Sequence, residues 1–222
     1  MEDLLDIGEV TESKTFHQLG ILILDGSGSM KAEGDLKTSL AENVNLAVKE
    51  FFTYFKGSSI VNNFSIAVIT FDDKAILQTP LTPLADIDDF GDFNPLNNHG
   101  GGTNMGSALE LAEKVASDHL NSPEAQSVPH DVKFIVMSDG LCQHPDDTRR
   151  IAQKIKEHSK VTICSALFIQ RGSSNDPAKS LLLEIASAPN LYKTTYSEQD
   201  LRKFFISSMS AKINMKKEGE GE

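Results

Sequence analysis

Three stretches of the chain place oxygen-bearing side chains where a hard cation could use them. Asp25-Gly26-Ser27-Gly28-Ser29 alternates donors with glycines, Gly100-Gly101-Gly102 leads into Thr103, and Asp139 lies within Ser138-Asp139-Gly140. Each stretch alone is ordinary turn chemistry. Together, Asp25, Ser27, Ser29, Thr103 and Asp139 make an oxygen-only set of two carboxylates and three hydroxyls. Such a set suits Mg2+ or Mn2+ in near-octahedral coordination, with room for water or an outside ligand. The glycines between donors allow tight turns and keep side chains away from the ion.

These donors need strands and helices to bring them together. Residues 20–25 form an apolar run without alternation, the signature of a strand buried on both faces of a parallel sheet, and the run ends at Asp25. From Leu36 to the stop at Gly57, Leu40, Val44, Val48, Phe51, Phe52 and Phe55 recur at helical spacing. Residues 64–71 read as a strand, followed across Asp72-Asp73 by a short antiparallel edge strand at 75–77 that Pro80 and Pro83 close. A polar loop then reaches Thr103 and a helix burying Met105, Leu109, Ala112 and Val115. After it, strands at 132–137, 161–168 and 191–194 alternate with helices at 147–158, 178–186 and 198–213. This order predicts an α/β fold: a Rossmann-like, open, mostly parallel sheet with helices on both faces and one short antiparallel edge strand. In such sheets ligands bind beyond the carboxyl ends of the strands, where Asp25 and Asp139 stand. The expected organisation is an N-terminal arm over 1–16, one domain over 17–213 and a solvated tail over 214–222.

The pattern Asp25-x-Ser27-x-Ser29, with Thr103 in Gly-Gly-Thr-Asn-Met-Gly and Asp139 after an apolar strand, resembles the von Willebrand factor A domain over roughly residues 17–211. The resemblance implies a metal-ion-dependent adhesion site in which Ser27, Ser29 and Thr103 supply hydroxyls and Asp25 and Asp139 carboxylates, directly or through water. Within the family the chain looks most like intracellular, stand-alone bacterial members of the tellurium-resistance type. Its stretch from Gly140 to Asp147 is longer than in many of them. Two carboxylates only partly offset a 2+ ion and hydroxyls donate weakly, so the ion stays attractive to a further carboxylate. The expected function is therefore metal-dependent binding of a protein partner through its Asp or Glu, as a cytoplasmic adaptor or regulator rather than an enzyme.

The main alternative is a Mg2+-dependent phosphotransferase of the haloacid dehalogenase type, which wants an acid two residues beyond its first aspartate; Ser27 stands there. No Gly-x-Ser-x-Gly elbow surrounds Ser27 or Ser29, and Gly100 to Thr103 lacks the lysine of a phosphate-binding loop. Lys plus Arg total 21 against 32 Asp plus Glu, a net charge of −11, which disfavours nucleic acid and anionic membrane as partners. No apolar run approaches the ~18 residues of a membrane span, and the acidic start does not read as a secretory signal. Cys142 and Cys164 are too few for a disulfide scaffold and are expected as reduced thiols, Cys142 semi-buried. His99 and His144 are expected as exposed loop residues, Asp72 and Asp73 as turn formers, and the Asn63-Phe64-Ser65 acceptor pattern as coincidence.

Overall fold

The computed structural model describes residues 15–34 and 37–210. The arm expected over 1–16, apart from Thr15 and Phe16, and the tail over 214–222 lie outside them, as do residues 211–213 of the expected last helix. In order come β1 (His17–Asp25), α1 (Leu40–Lys56), β2 (Phe64–Phe71), β3 (Ala75–Pro83), α2 (Met105–Leu120), a single turn α3 (Pro123–Gln126) and β4 (His130–Ser138). Then follow α4 (Pro145–Lys156), β5 (Val161–Phe168), α5 (Asp176–Ile185), β6 (Tyr192–Thr195) and α6 (Glu198–Ser210). The strands form one six-stranded sheet in the order β3-β2-β1-β4-β5-β6. Among the pairings of the described strands, β2–β3 is the antiparallel one. The expected α/β architecture is thus present.

All nine residues of β1 are buried, and the period-two geometry of a strand divides them between two layers. Leu19, Ile21 and Ile23 pack with Leu109, Ile151 and Leu181 of α2, α4 and α5. Leu22 and Leu24 face Val48, Phe51 and Phe205 of α1 and α6. One unbroken apolar run thereby supplies both cores. Beyond β1 the chain moves first to one side, through β2, and later to the other, through β4 and β5. The crossovers part at the β1–β4 pair and leave a crevice outside their carboxyl ends.

Several boundaries differ from expectation. Helix α1 starts at Leu40 rather than Leu36 because the Ser39 hydroxyl accepts from the Glu42 amide (3.1 Å) and caps the first turn. Pro145 opens α4 earlier than expected, at a position where its missing N–H costs nothing. Strand β3 is not closed at Pro80 but runs to Pro83. Its pairing with β2 shifts register on either side of Val68, so Pro80 lies in an irregularity of an edge strand. Asn63 is buried, with its Oδ1 accepting from the Thr15 amide at 3.2 Å, so the acceptor pattern carries no exposed asparagine.

Candidate metal centre

The crevice is built from three loops tied by main-chain hydrogen bonds. Gly26 N–H donates to Phe71 O (2.7 Å), Gly28 N–H to Gly101 O (2.9 Å) and Gln143 N–H to Thr103 O (2.9 Å). A Cβ on Gly26 would lie 2.0 Å from the main-chain oxygen of Pro95. Gly26→Ala must therefore push two loops apart. It is expected to cost about 1–3 kcal/mol of stability, as other overpacked sites do, and to weaken Mg2+ uptake; urea denaturation and calorimetric titration measure the two.

Four of the five expected donors form one chain of contacts. Asp25 is fully buried; its Oδ1 accepts from the Ser27 amide (2.8 Å) and its Oδ2 from the Ser138 hydroxyl (2.5 Å). The Ser27 and Ser29 hydroxyls are 3.0 Å apart, and Ser29 Oγ donates to Asp139 Oδ1 at 2.8 Å. Ser29 is exposed at the mouth, whereas Ser27, Thr103 and Asp139 are buried. Thr103, the fifth donor, is held at the same crevice through its loop.

Burial, and then the like charge of Asp139, push the Asp25 carboxyl up to about 7 despite hydrogen bonds from Ser138 and Ser27. Burial raises Asp139 as well, against the hydrogen bond from Ser29. Two carboxylates sharing a dry crevice repel each other, and a divalent cation removes that repulsion. Among the described residues no three His, Cys, Asp or Glu side chains gather at metal-binding distance. A cation here would accordingly depend on hydroxyls and water beside the two carboxylates, which fits a hard ion and not a soft one.

The structure corrects the reading of two neighbours. His99, expected as an exposed loop residue, has a side chain with no exposed surface. Its Nδ1 lies 2.9 Å from Asp72 Oδ1 and its Nε2 2.9 Å from Thr70 Oγ1. Asp72 does form the expected turn, accepting from the Lys74 amide, but its Oδ2 also accepts from the amides of Gly100 and Gly101, each at 3.1 Å. Burial alone would raise this carboxyl; hydrogen bonds from His99, Lys74 and Gly101 hold it at about 2. Ser138 was legible only as a strand-end oxygen, and its place as the partner of Asp25 comes from the β1–β4 register. His144 is exposed and Cys142 buried, its Sγ 3.3 Å from Thr148 Oγ1; both cysteines are free.

The fold has counterparts among solved structures. The pilus adhesin SpaC from Lactobacillus rhamnosus GG superposes with a TM-score of 0.72 at 13% identity, over 90% of this chain and 31% of the adhesin. The vWF domain of the type V pili tip protein Mfa5 from Porphyromonas gingivalis gives 0.66 at 13% identity, over 94% of this chain and 99% of that domain. Proximal thread matrix protein 1 from the mussel byssus, with a zinc-occupied MIDAS motif, gives 0.60 at 21% identity, over 88% of this chain and 46% of its own. The chain thus spans about a third of the adhesin and about half of the matrix protein. No individual curated protein matches the sequence. The model of the von Willebrand factor type A domain matches residues 21–141, more than half of the chain. With that match, and with the six-stranded sheet these structures share, the chain belongs to the von Willebrand factor type A domain family.

Proposed function

We propose that the chain is a metal-dependent protein-binding module whose cation, Mg2+ or Mn2+, is held by Asp25, Ser27, Ser29, Thr103 and Asp139. The carrying observation is the pair of buried carboxylates, Asp25 and Asp139, linked through Ser27 and Ser29 at the open end of the sheet. When bound, the ion would supply an electrophilic position that a partner Asp or Glu can fill. The Asp25 carboxyl lies at the floor of the crevice, fixed by Ser27 and Ser138 so that it needs no rearrangement to meet a cation. Ser29 and Asp139 line the mouth. Leu141, 59% exposed two residues beyond Asp139, adds an apolar contact beside the carboxylate position.

The family match and the adhesin, pilus-tip and matrix-protein neighbours support binding rather than turnover. Ser27 in place of a second acid argues against phosphoryl transfer. Action in the cytoplasm, like the tellurium-resistance type, belongs to the same proposal; two buried, unbridged cysteines support it.

The test is calorimetric titration of the chain with Mg2+ and with Mn2+, then capture of partners from native lysate with and without chelator. One bound ion, and a captured protein lost on chelation and lost again when its contacting acid is replaced by alanine, is the expected result. Partner capture indifferent to chelator overturns the bridging role.

A further inference from the structure

We propose that Asp72 and His99 are positioning residues for the cation site: the buried Asp72–His99 pair, backed by Thr70, clamps the Gly100–Gly101 amides and so holds Thr103 against the loop that carries Ser27 and Ser29. The inference rests on the metal-binding reading given above.

Thr103 is the one expected donor that arrives on a long connection, from the end of β3 to the start of α2, with no strand directly beneath it. Something must fix that loop. The chain takes left-handed backbone at Asn98 (φ 64°) and a positive φ of 130° at Gly100, and between them His99 turns inward. His99 Nδ1 stands 2.9 Å from Asp72 Oδ1 in an ion-pair contact, and Nε2 meets Thr70 on β2 at 2.9 Å. The second oxygen of Asp72 takes the amides of Gly100 and Gly101. Main-chain bonds complete the clamp: Asn104 N–H donates to Asp72 O (2.7 Å), and Gly101 O accepts from Gly28 of the Asp25–Ser29 loop. From Thr70 to Gly28 the contacts are continuous and carry the position of β2 into both donor loops. Space is equally constrained. A Cβ on Gly101 or Gly102 would meet the Asp73 carboxylate at 2.1 or 2.5 Å, so the loop lies tightly between Asp72 beneath and Asp73 beside it.

The experiment uses the full chain, Mg2+ as probe and two substitutions that divide the histidine's contacts. In His99→Asn the amide nitrogen falls near the place of Nδ1 and keeps the contact with Asp72; in His99→Gln it reaches toward the place of Nε2 and loses it. Mg2+ affinity is expected to fall about tenfold or more in His99→Gln and in Asp72→Asn, as for other residues that orient ligands, and to recover to within about threefold in His99→Asn. Hydrogen exchange at the Gly100 and Gly101 amides should quicken in the first two variants and not in the third, a pattern that general destabilisation would not give. Should His99→Gln fail to fold, Thr70→Val loosens the same clamp from its far end and should weaken Mg2+ by a smaller factor. Wild-type affinity in His99→Gln despite rapid exchange at Gly100 and Gly101 overturns the clamp alone. A wild-type chain that takes up no cation overturns the metal reading, and the positioning role with it.

Discussion

Alanine at position 25 is expected to abolish cation uptake while leaving the far-ultraviolet circular dichroism unchanged. Residues that merely orient a ligand typically cost 10–100-fold in metal affinity; loss of a buried ligand carboxylate should exceed about a hundredfold. Calorimetric titration with Mg2+ measures it, and near-normal uptake would refute the site. The same carboxyl sets a pH dependence whose sign is fixed by its shift from 3.8 to about 7. Between those values the metal-free folded state holds a proton that the unfolded state has lost. Stability without metal therefore falls as pH rises through that window, and Asp25→Asn should flatten the fall. Protons compete with the cation in the same window, so uptake strengthens toward pH 7 and above. The depressed Asp72 acts in the opposite sense: its stabilising contribution is present above about pH 4 and is lost as pH falls toward 2. The two windows barely overlap, so thermal melts of wild type and Asp25→Asn from pH 4 to 8, in chelator, isolate the first.

Lys133→Met should be the most damaging substitution away from the crevice. Asp131 and Lys133 alternate on one face of β4, buried, with Nζ 2.8 Å from Oδ2 and a longer contact of 3.3 Å from Nζ to Thr162 Oγ1. Burial pushes the Asp131 carboxyl up, and the lysine's hydrogen bond and charge pull it back. Methionine at 133 strands a buried carboxylate, for which the expected loss is about 3–5 kcal/mol. The double variant Asp131→Leu with Lys133→Met should recover most of it, since replacing both partners by apolar groups is often neutral. Urea unfolding of the two singles and the double gives the coupling directly; an additive double variant would show that the pair does not act as one.

The elements legible in the sequence were those whose own composition decides them. β2 and β5 fall on the expected residues, 64–71 and 161–168, because β-branched runs bounded by turns leave little choice. The antiparallel edge strand β3 is where expected but runs further, because a proline reads as a strand end, whereas at an edge it removes no hydrogen bond the sheet needs. The five candidate donors stand out in the sequence because glycine-spaced oxygens at strand ends, and one before a helix start, are readable from residue type and order. Asp72 and His99 could not: their roles depend on the path of the loop from 84 to 104, which local spacing does not encode. Lys133 was similarly hidden, since a lysine between Val132 and Phe134 reads as an outward-facing residue until β4 is seen to be covered on both sides.

The central β1–β4 pairing joins segments distant along the chain: the Asp25 and Ser138 side chains that meet there are 113 positions apart. Contacts of that separation must close a long loop before they gain anything, so they form late and slowly. The proposed cation crevice therefore depends on the completed β1–β4 pair. Cleavage in the exposed turn before β4 would divide the donors, Asp25 to Thr103 on one fragment and Asp139 on the other. Mixing the two halves and following Mg2+ uptake would then count only reassembled molecules, making the ion a reporter of the completed sheet.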